Sequence, residues 1–389
     1  MRWAAHASTA TPLSRAAEEA IVSVQAQLGG ARPTLVMAFA NPGFDDAVAR
    51  QLEAAFPEAA LTGCSAAGVI GLDRELEGRP ALSLLAAHIP EAELHMMAFG
   101  DELGHHLEAR HLQASLAPGG AEPALVLALL DPRAGEPAEL LGALDQAFPH
   151  AAVLGGMASG PLRGPALLVD GRASGGSGVL VAVHADLEVE PIVAQGCRPI
   201  GQPMLITRAD GNLVYELGQR RPADVMRELH SSLSPGDRSL FERALFLGVE
   251  MQDKLEYAAG DFLVRNVLGV EPKSGALAIG SPVEQFKAVQ FHLRDARASA
   301  EELQSLLRPS LGRAPAAGAI LFSCLGRGEG LYGVPHHDTT TLRKSAGRPP
   351  VGGFFCGGEI GRVGGRTHLH GYTSSIALIR PGGGRVGSG

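Results

Sequence analysis

The stretches PTLVMAFANP (residues 33–42) and PALVLALLDP (residues 123–132) decide the fold, because the chain repeats itself there. A second pair of stretches supports this internal repeat: FPEAALTGCSAAG (56–68) and FPHAAVLGGMASG (148–160) are identical at seven of thirteen positions. The order of the matching segments is the same in both places, and their spacing changes little. We therefore predict two copies of one supersecondary unit.

Each copy has the pattern of a βαβ unit. LVMAFA (35–40) and LVLALL (125–130) are short continuous apolar runs, typical of strands that are buried on both faces. Both are followed by apolar residues at spacing four, which indicates a helix, and then by a second apolar strand that ends in a glycine-rich turn. Strand, helix and strand with short connections predict two βαβ units, over about 33–100 and 123–196.

The pattern changes after about residue 200. MLITRADGNLVYEL (204–217) has an Asp-Gly-Asn turn between two apolar runs, which predicts a hairpin. A second hairpin is predicted where FLVRNVLGV (262–270) and ALAIG (276–280) flank a turn-forming segment.

These patterns predict a two-part mixed α/β protein. The N-terminal domain, over residues 1–200, holds the two repeats, and the C-terminal domain, over residues 201–380, is a mixed sheet with hairpins and flanking helices. The glycine-rich residues 381–389 predict a flexible tail.

Composition excludes several classes of protein. Of the 389 residues, 45% are hydrophobic and 19% are charged, which is enough apolar material for a sizeable core. The net charge of −8 gives no basic field, so nucleic acid is not an expected partner. The four cysteines are far apart and form no CxxC pair, which argues against a zinc ribbon or a disulfide scaffold and for reduced thiols.

No signal peptide and no transmembrane stretch is recognisable, so we expect a cytoplasmic protein without a membrane partner. The phosphate-binding loop, the nucleophile elbow and the HExxH zinc motif are missing as well. We therefore expect no enzymatic activity, no catalytic residues and no metal site.

Six motifs of the sequence point to a known family. The N-terminal motifs are LTGCSAAGVIG (61–71) and PALSLLAA (80–87). The C-terminal motifs are LVRNVLGV (263–270), LFSCLGRGEG (321–330), GGFFCGGEIGRVGG (352–365) and HLHGYTSSIAL (368–378). Together they resemble the FIST family, whose N- and C-terminal domains occur together in bacterial signalling proteins. The resemblance implies a sensory module that binds a small ligand, with amino acids as proposed ligands, and that signals to a separate protein such as a histidine kinase or a cyclic-dinucleotide enzyme.

The segment SCLGRG offers the first candidate ligand site. After a strand that ends at Cys324, Gly326 and Gly328 leave backbone N–H groups accessible on either side of Arg327, an arrangement that suits a carboxylate or a phosphate. The alternative is a tight turn with a solvated Arg and a structural Cys. Glu359, flanked by glycine, is the candidate for a ligand ammonium, or else it pairs with a structural Arg.

Further candidates lie at the ends of apolar runs. Arg265 and Asn266 could hydrogen-bond a ligand. The dipeptide Arg294-Asp295 predicts a ligand contact, a salt bridge or a helix N-cap. Cys64 and Ser65 follow a strand end, where ligands of α/β sheets bind, although the second copy replaces them with Gly and Met.

Two histidines suggest haem as an alternative cofactor. His368 and His370 are two residues apart, so on a strand both point to one face, and either could be an axial haem ligand. The resemblance also implies haem-based nitric oxide sensing in some bacterial members. The adjacent pairs His105-His106 and His336-His337 are not expected to share a metal.

Four functions follow from these candidates. The leading one is non-enzymatic sensing of a small ligand without a cofactor, such as an amino acid or another carboxylate. The alternatives are a haem-binding nitric oxide sensor, a protein-docking adaptor and an enzyme that depends on Cys324.

Overall fold

A computed structural model describes residues 1–100, 107–135, 137–161, 164, 166–258 and 260–383. His105-His106 and the last six residues of the predicted tail lie outside these residues. The chain divides into two compact units. Unit 1 comprises Met1–Val193, Gln304–Leu369 and the chain from Thr373 onward, and unit 2 comprises Ala194–Leu303 and His370–Tyr372.

Unit 1 contains three six-stranded sheets with the same construction. Sheet 1 has the order β1-β6-β2-β3-β10-β11, with strands Arg2–Ser8, Ala81–His88, Leu35–Asn41, Ala60–Ser65, Leu167–Val169 and Arg172–Ser174. Sheet 2 has the order β7-β12-β8-β9-β22-β23, with strands Glu93–Phe99, Gly178–His184, Leu125–Leu130, Ala152–Met157, Glu359–Val363 and Arg366–His370. Sheet 3 has the order β13-β24-β20-β21-β4-β5, with strands Leu187–Ala194, Ser374–Pro381, Gly318–Cys324, Val351–Cys356, Gly68–Gly71 and Arg74–Glu77.

Helices precede and join the central strands of these sheets. They are α1 Leu13–Leu28, α2 Asp46–Ala55, α3 Ala109–Leu116, α4 Ala138–Ala147, α7 Ala296–Leu307, α8 Glu329–Tyr332 and α9 His337–Ser345. Helices α5 and α6 belong to unit 2, and α7 begins in unit 2 and ends in unit 1. The two predicted βαβ units are confirmed as β2-α2-β3 and β8-α4-β9, with both strand pairs parallel. Mixed α/β architecture is confirmed with them.

The structure adds a third copy of this unit. Strands β20 and β21 form a third parallel pair, and α9 lies between them in the chain. One glycine in each copy marks the equivalence: Gly63, Gly155 and Gly353 each lie so close to the neighbouring strand that an added Cβ would meet a carbonyl oxygen at 1.8 Å. Only glycine permits this approach of two backbones.

The three copies exchange their hairpins. The β4-β5 hairpin of the first copy pairs with β21 in sheet 3, and the β10-β11 hairpin of the second copy pairs with β3 in sheet 1. The β22-β23 hairpin of the third copy pairs with β9 in sheet 2, which completes the cycle. Every sheet of unit 1 is therefore built from two copies.

One apolar core joins the inner faces of the three sheets. At its centre the ring of Phe39 stacks on that of Phe354 with centroids 4.8 Å apart, and Phe322 contacts both edge-on at 6.5 and 5.6 Å. Leu129 from sheet 2 belongs to the same buried cluster. The apolar runs that predicted buried strands thus supply this core.

Unit 2 is a closed barrel of six antiparallel strands in the order β14-β15-β18-β17-β16-β19. The strands are Cys197–Asp210, Leu213–Leu217, Leu277–Ile279, Phe262–Val270, Leu245–Glu250 and Ala288–Arg294, and helices α5 Pro222–Ser232 and α6 Pro235–Arg243 lie between β15 and β16 in the chain. Both predicted hairpins are present, as β14-β15 and β17-β18.

The two units do not coincide with the predicted domains 1–200 and 201–380. Residues 304–369 belong to unit 1 together with the N-terminal part of the chain. The physical reason is strand pairing, because β21 and β22 hydrogen-bond to β4 and β9. No helix in the described ranges is long and apolar enough to cross a membrane.

Candidate functional site

The turn after β20 has the tight geometry that its glycines predict. The N–H of Arg327 donates to the carbonyl of Cys324 at 2.8 Å, and the N–H of Gly326 donates to the Cys324 Sγ at 3.4 Å. Gly328 has a φ of +68°, and an added Cβ would lie 2.2 Å from a Glu77 carboxylate oxygen. Glycine is therefore required at position 328.

The Arg327 side chain is buried and ion-paired. Its Nε lies 2.7 Å from Asp338 Oδ2, and its Nη2 donates both to Asp338 Oδ1 and to the hydroxyl of Tyr332. Asp338 also accepts from Ser374 at 2.8 Å and contacts Nδ1 of His337 at 3.0 Å. A ligand carboxylate at Arg327 would have to replace Asp338, so the ligand role of this residue stays a prediction.

Electrostatics keep Asp338 ionised. Burial opposes its negative charge, but the Arg327 guanidinium and the hydrogen bonds from His337, Arg327 and Ser374 outweigh burial and hold the pKa of Asp338 well below its usual range. The Arg327–Asp338 pair is therefore fully charged at neutral pH.

Glu75, on β5, is a buried carboxyl that the sequence did not single out. Its Oε1 accepts from the N–H and the hydroxyl of Thr339, both at 2.7 Å, whereas Oε2 is buried without a hydrogen-bond partner among the described residues. Burial and the charge of Asp338 raise the pKa of Glu75 to about 7, although the bonds from Thr339 oppose the rise. Part of the Glu75 population is thus protonated at neutral pH.

The predicted histidine pair in this region has separate contacts. His336 Nδ1 accepts from the backbone N–H of Glu75 at 2.9 Å, and the His337 ring stacks on Tyr332 with centroids 3.7 Å apart. Within the described residues, no group of three potential metal-ligating side chains is found.

Three other predicted site residues in unit 1 are buried. Glu359 lies on β22, where its Oε2 accepts from the N–H of Thr373 at 3.1 Å. Cys64 is buried at the end of β3, which raises the pKa of its thiol, and the Ser65 carbonyl accepts from Ser159 and Gly160. Their roles in ligand binding stay predictions.

The candidate haem ligands lie on or at the end of β23. His368 is half-buried and His370 is buried. Haem binding through either residue stays an alternative prediction.

In unit 2, Asn266 belongs to a cluster around Tyr372. The Tyr372 hydroxyl donates to Asn266 Oδ1, and the Tyr372 ring packs against Phe246 with centroids 4.3 Å apart. Arg265, the neighbouring predicted residue, is half-buried and donates to the carbonyl of Val264 at 3.4 Å. Tyr372 has a φ of +68°, a strained conformation for an aromatic residue and one that is often found at functional sites.

Arg294 completes this cluster at the end of β19. Its guanidinium lies over the Tyr372 ring, 4.7 Å from the centroid. Both Nε and Nη2 are buried without a hydrogen-bond partner in the part of the chain that the structure describes. These two nitrogens form one edge of the guanidinium, the edge that binds both oxygens of a carboxylate or phosphate.

The residue after Arg294 has a structural role. Asp295 accepts from the N–H groups of Arg297 and Ala298 at the start of α7, which confirms the predicted N-cap. Its ion-pair partner is Arg198, at 3.4 Å, which also contacts Asp237. Its carboxylate is thus occupied by α7 and by Arg198.

Comparison with known proteins identifies the family. A model of the FIST N domain matches residues 34–220, and a model of the FIST C domain matches residues 222–362. The chain belongs to the FIST family. Its FIST relatives include an uncharacterized protein of Mycobacterium tuberculosis, 35% identical over 97% of this chain and 100% of the relative, and one of Mycobacterium bovis, 34% identical over 97% and 99%.

A solved structure is also similar to this FIST chain. It is cyanuric acid hydrolase from A. caulinodans, with a TM-score of 0.36 and 9% identity over 98% of this chain and 99% of that chain.

Proposed function

We propose that this FIST chain is a non-enzymatic sensory module that binds a small carboxylate, such as an amino acid, at Arg294 in unit 2. FIST domains are associated with sensory and signal-transduction proteins, which supports the sensory part of the proposal. The signal passes to a separately encoded output protein, for which a histidine kinase or a cyclic-dinucleotide enzyme is the proposed class.

The observation that carries the proposal is the edge of Arg294 formed by Nε and Nη2. A buried donor without an acceptor costs about 1–3 kcal/mol, and more where it is charged. A carboxylate accepts both N–H groups at once and removes this cost. Among the described residues, Nε and Nη2 of Arg294 have no acceptor, whereas Arg327, the residue predicted to bind an anion, is engaged by Asp338.

Ligand binding at Arg294 requires a local rearrangement, because both nitrogens are covered in this conformation. Tyr372, which lies over the guanidinium and is held by Asn266, is the side chain that we expect to move. Since a ligand shifts a conformational equilibrium only if it binds one state better, a site that opens on binding has the property that a sensor needs.

The test is a thermal-shift screen of amino acids and small carboxylates against the wild type, Arg294→Met and Arg294→Lys. A ligand at about 100 times its Kd adds about 2.7 kcal/mol to the free energy of unfolding, enough for a shift of some degrees. We expect Met and Lys at position 294 both to abolish the shift, because neither presents two parallel N–H groups.

Arg208 provides the matched control. It also lies over a tyrosine ring, 4.9 Å from the centroid of Tyr215, but its Nε donates to Glu216. Arg208→Met should keep the ligand-induced shift. An equal shift in folded Arg294→Met, or no shift with any carboxylate, would overturn the proposal.

A further inference from the structure

Two cysteines of unit 1 lie side by side on neighbouring strands. Cys324 ends β20 and Cys356 ends β21, and the two are register partners in the parallel ladder. The ladder continues past them, since the N–H of Leu325 donates to the Cys356 carbonyl at 3.1 Å. Neighbouring strands are about 4.8 Å apart, which is inside the Cα separation of about 4.4–6.8 Å that a disulfide spans.

Both side chains point to the same face of sheet 3. Phe322 and Phe354, two residues earlier on each strand, are also register partners, and their rings meet in the central core at 5.6 Å. Because side chains alternate along a strand, Cys324 and Cys356 share that face. The backbone therefore brings the two thiols together.

The two thiols have different surroundings. Cys324 is partly exposed, and its sulfur accepts the N–H of Gly326 at 3.4 Å. Cys356 is fully buried, and burial raises the pKa of its thiol, with Glu359, Cys64 and Cys324 adding to the effect. An oxidant from solvent thus reaches Cys324 first.

We propose that Cys324 and Cys356 are a redox modification site at which a peroxide forms a reversible disulfide. The Cys324 thiolate attacks one peroxide oxygen, the O–O bond breaks, and Cys324 becomes a sulfenic acid while the other oxygen leaves as water after protonation. The Cys356 sulfur then bonds to the Cys324 sulfur, and the sulfenic oxygen leaves as a second water. Two electrons pass from the two thiols to the peroxide, and an external dithiol reverses the reaction.

The disulfide would fix the turn that carries Arg327. The Cys324 carbonyl accepts the N–H of Arg327, and the Cys324 N–H donates to the carbonyl of Thr373 at 2.9 Å. A cross-link at Cys324 therefore restrains both segments. This site is independent of ligand binding at Arg294, so either proposal can fail alone.

The experiment treats the reduced full-length protein with hydrogen peroxide, counts thiols in denaturant and maps cross-links by peptide mass spectrometry without reductant. We expect the four thiols to fall to two, a Cys324–Cys356 peptide that is lighter by two hydrogens, and recovery with dithiothreitol. Cys324→Ser should abolish the cross-link and retain its remaining thiols, whereas Cys197→Ser, altered in unit 2, should still lose two.

Three results would overturn the proposal. They are retention of all four thiols, sulfinic or sulfonic acid at Cys324 without a cross-link, and a disulfide that joins Cys324 to Cys64 or to a second molecule. Because Cys324 is partly exposed, Cys324→Ser tests the site even where the core substitution Cys356→Ser prevents folding.

Discussion

Arg327 Nε lies 2.7 Å from Asp338 Oδ2, and their side chains are only 0% and 2% exposed. Removal of one partner from a buried ion pair leaves an uncompensated charge, which typically costs 3–5 kcal/mol. We expect Asp338→Asn to lower the free energy of unfolding by about this amount, measured by urea denaturation. The double variant Arg327→Met/Asp338→Leu should lose less, because it leaves no unpaired charge.

An exposed pair serves as the control for this prediction. Arg32 and Glu58 are 78% and 62% exposed, so Arg32→Met should change the free energy of unfolding by about 1 kcal/mol at most. If Asp338→Asn and Arg32→Met lowered the free energy of unfolding equally, the buried ion pair would contribute no more to stability than the exposed one.

The raised pKa of Glu75 predicts that the stability of the protein depends on pH. Its pKa rises from an ordinary 4.5 to about 7 on folding, so the native state binds a proton more tightly than the unfolded state. Proton binding by Glu75 therefore adds to the free energy of unfolding. This stabilisation is complete below about pH 4.5, decreases as the pH rises toward 7 and is absent above pH 7. Urea midpoints at several pH values should show this decrease in the wild type and a flatter profile in Glu75→Gln.

Glu58→Gln is the control for Glu75, because the Glu58 side chain is exposed. It should keep the wild-type pH profile. Parallel profiles of the wild type and Glu75→Gln would mean that Glu75 has an ordinary pKa in the folded protein.

We expect substitution of Gly155 by a larger residue to disrupt strand packing severely. An added Cβ there would lie 1.8 Å from the carbonyl oxygen of Ala128 on the neighbouring strand. Gly155→Ala should therefore separate β8 from β9 and lower the free energy of unfolding by more than about 3 kcal/mol, measured by urea denaturation.

Gly142, within α4, is the matched control because no atom lies within 4 Å of its added Cβ. Gly142→Ala should be neutral or stabilising by up to about 1 kcal/mol, since alanine favours a helix. A mild effect at both glycines would contradict the close approach of β8 and β9.

Tyr372→Phe tests how the proposed ligand site opens. The substitution removes the hydroxyl that donates to Asn266 but keeps the ring that covers Arg294. If this bond holds the closed state, its loss should tighten carboxylate binding by up to about tenfold, the equivalent of about 1.4 kcal/mol. Calorimetric titration measures the change, and weaker binding would show that the hydroxyl contacts the ligand instead.

Local patterns predicted the parts of the fold that depend on neighbouring residues. Continuous apolar runs gave β2 and β8, and the Asp-Gly-Asn turn gave the β14-β15 hairpin. The third copy was not predicted, because the glycines in VGGFFC are typical of a turn. In the structure these glycines instead let β21 lie against β20. Closure of the barrel depends on the pairing of β14 with β19, far apart in sequence, for which no local periodicity exists.

The side-chain contacts of the candidate sites were likewise not predictable from local sequence patterns. Arg327 was recognisable from its glycines, but its partner Asp338 was not, because nothing in GVPHHD shows which side chain turns inward. Glu75 and Thr339 meet across 264 positions of the chain. Arg294 was visible only as a charge at a strand end, and its place over Tyr372 arises from tertiary structure.

The exchange of hairpins makes the three copies of unit 1 mutually dependent. A polypeptide that ended at residue 200 would contain two copies, but its second sheet would lack β22 and β23, and β4 and β5 would have no β21 to pair with. Sheet 2 would then expose the open edge of β9, and unpaired strand edges promote aggregation. No cut between the copies leaves whole sheets on both sides, so we expect the three copies of unit 1 to fold together or not at all.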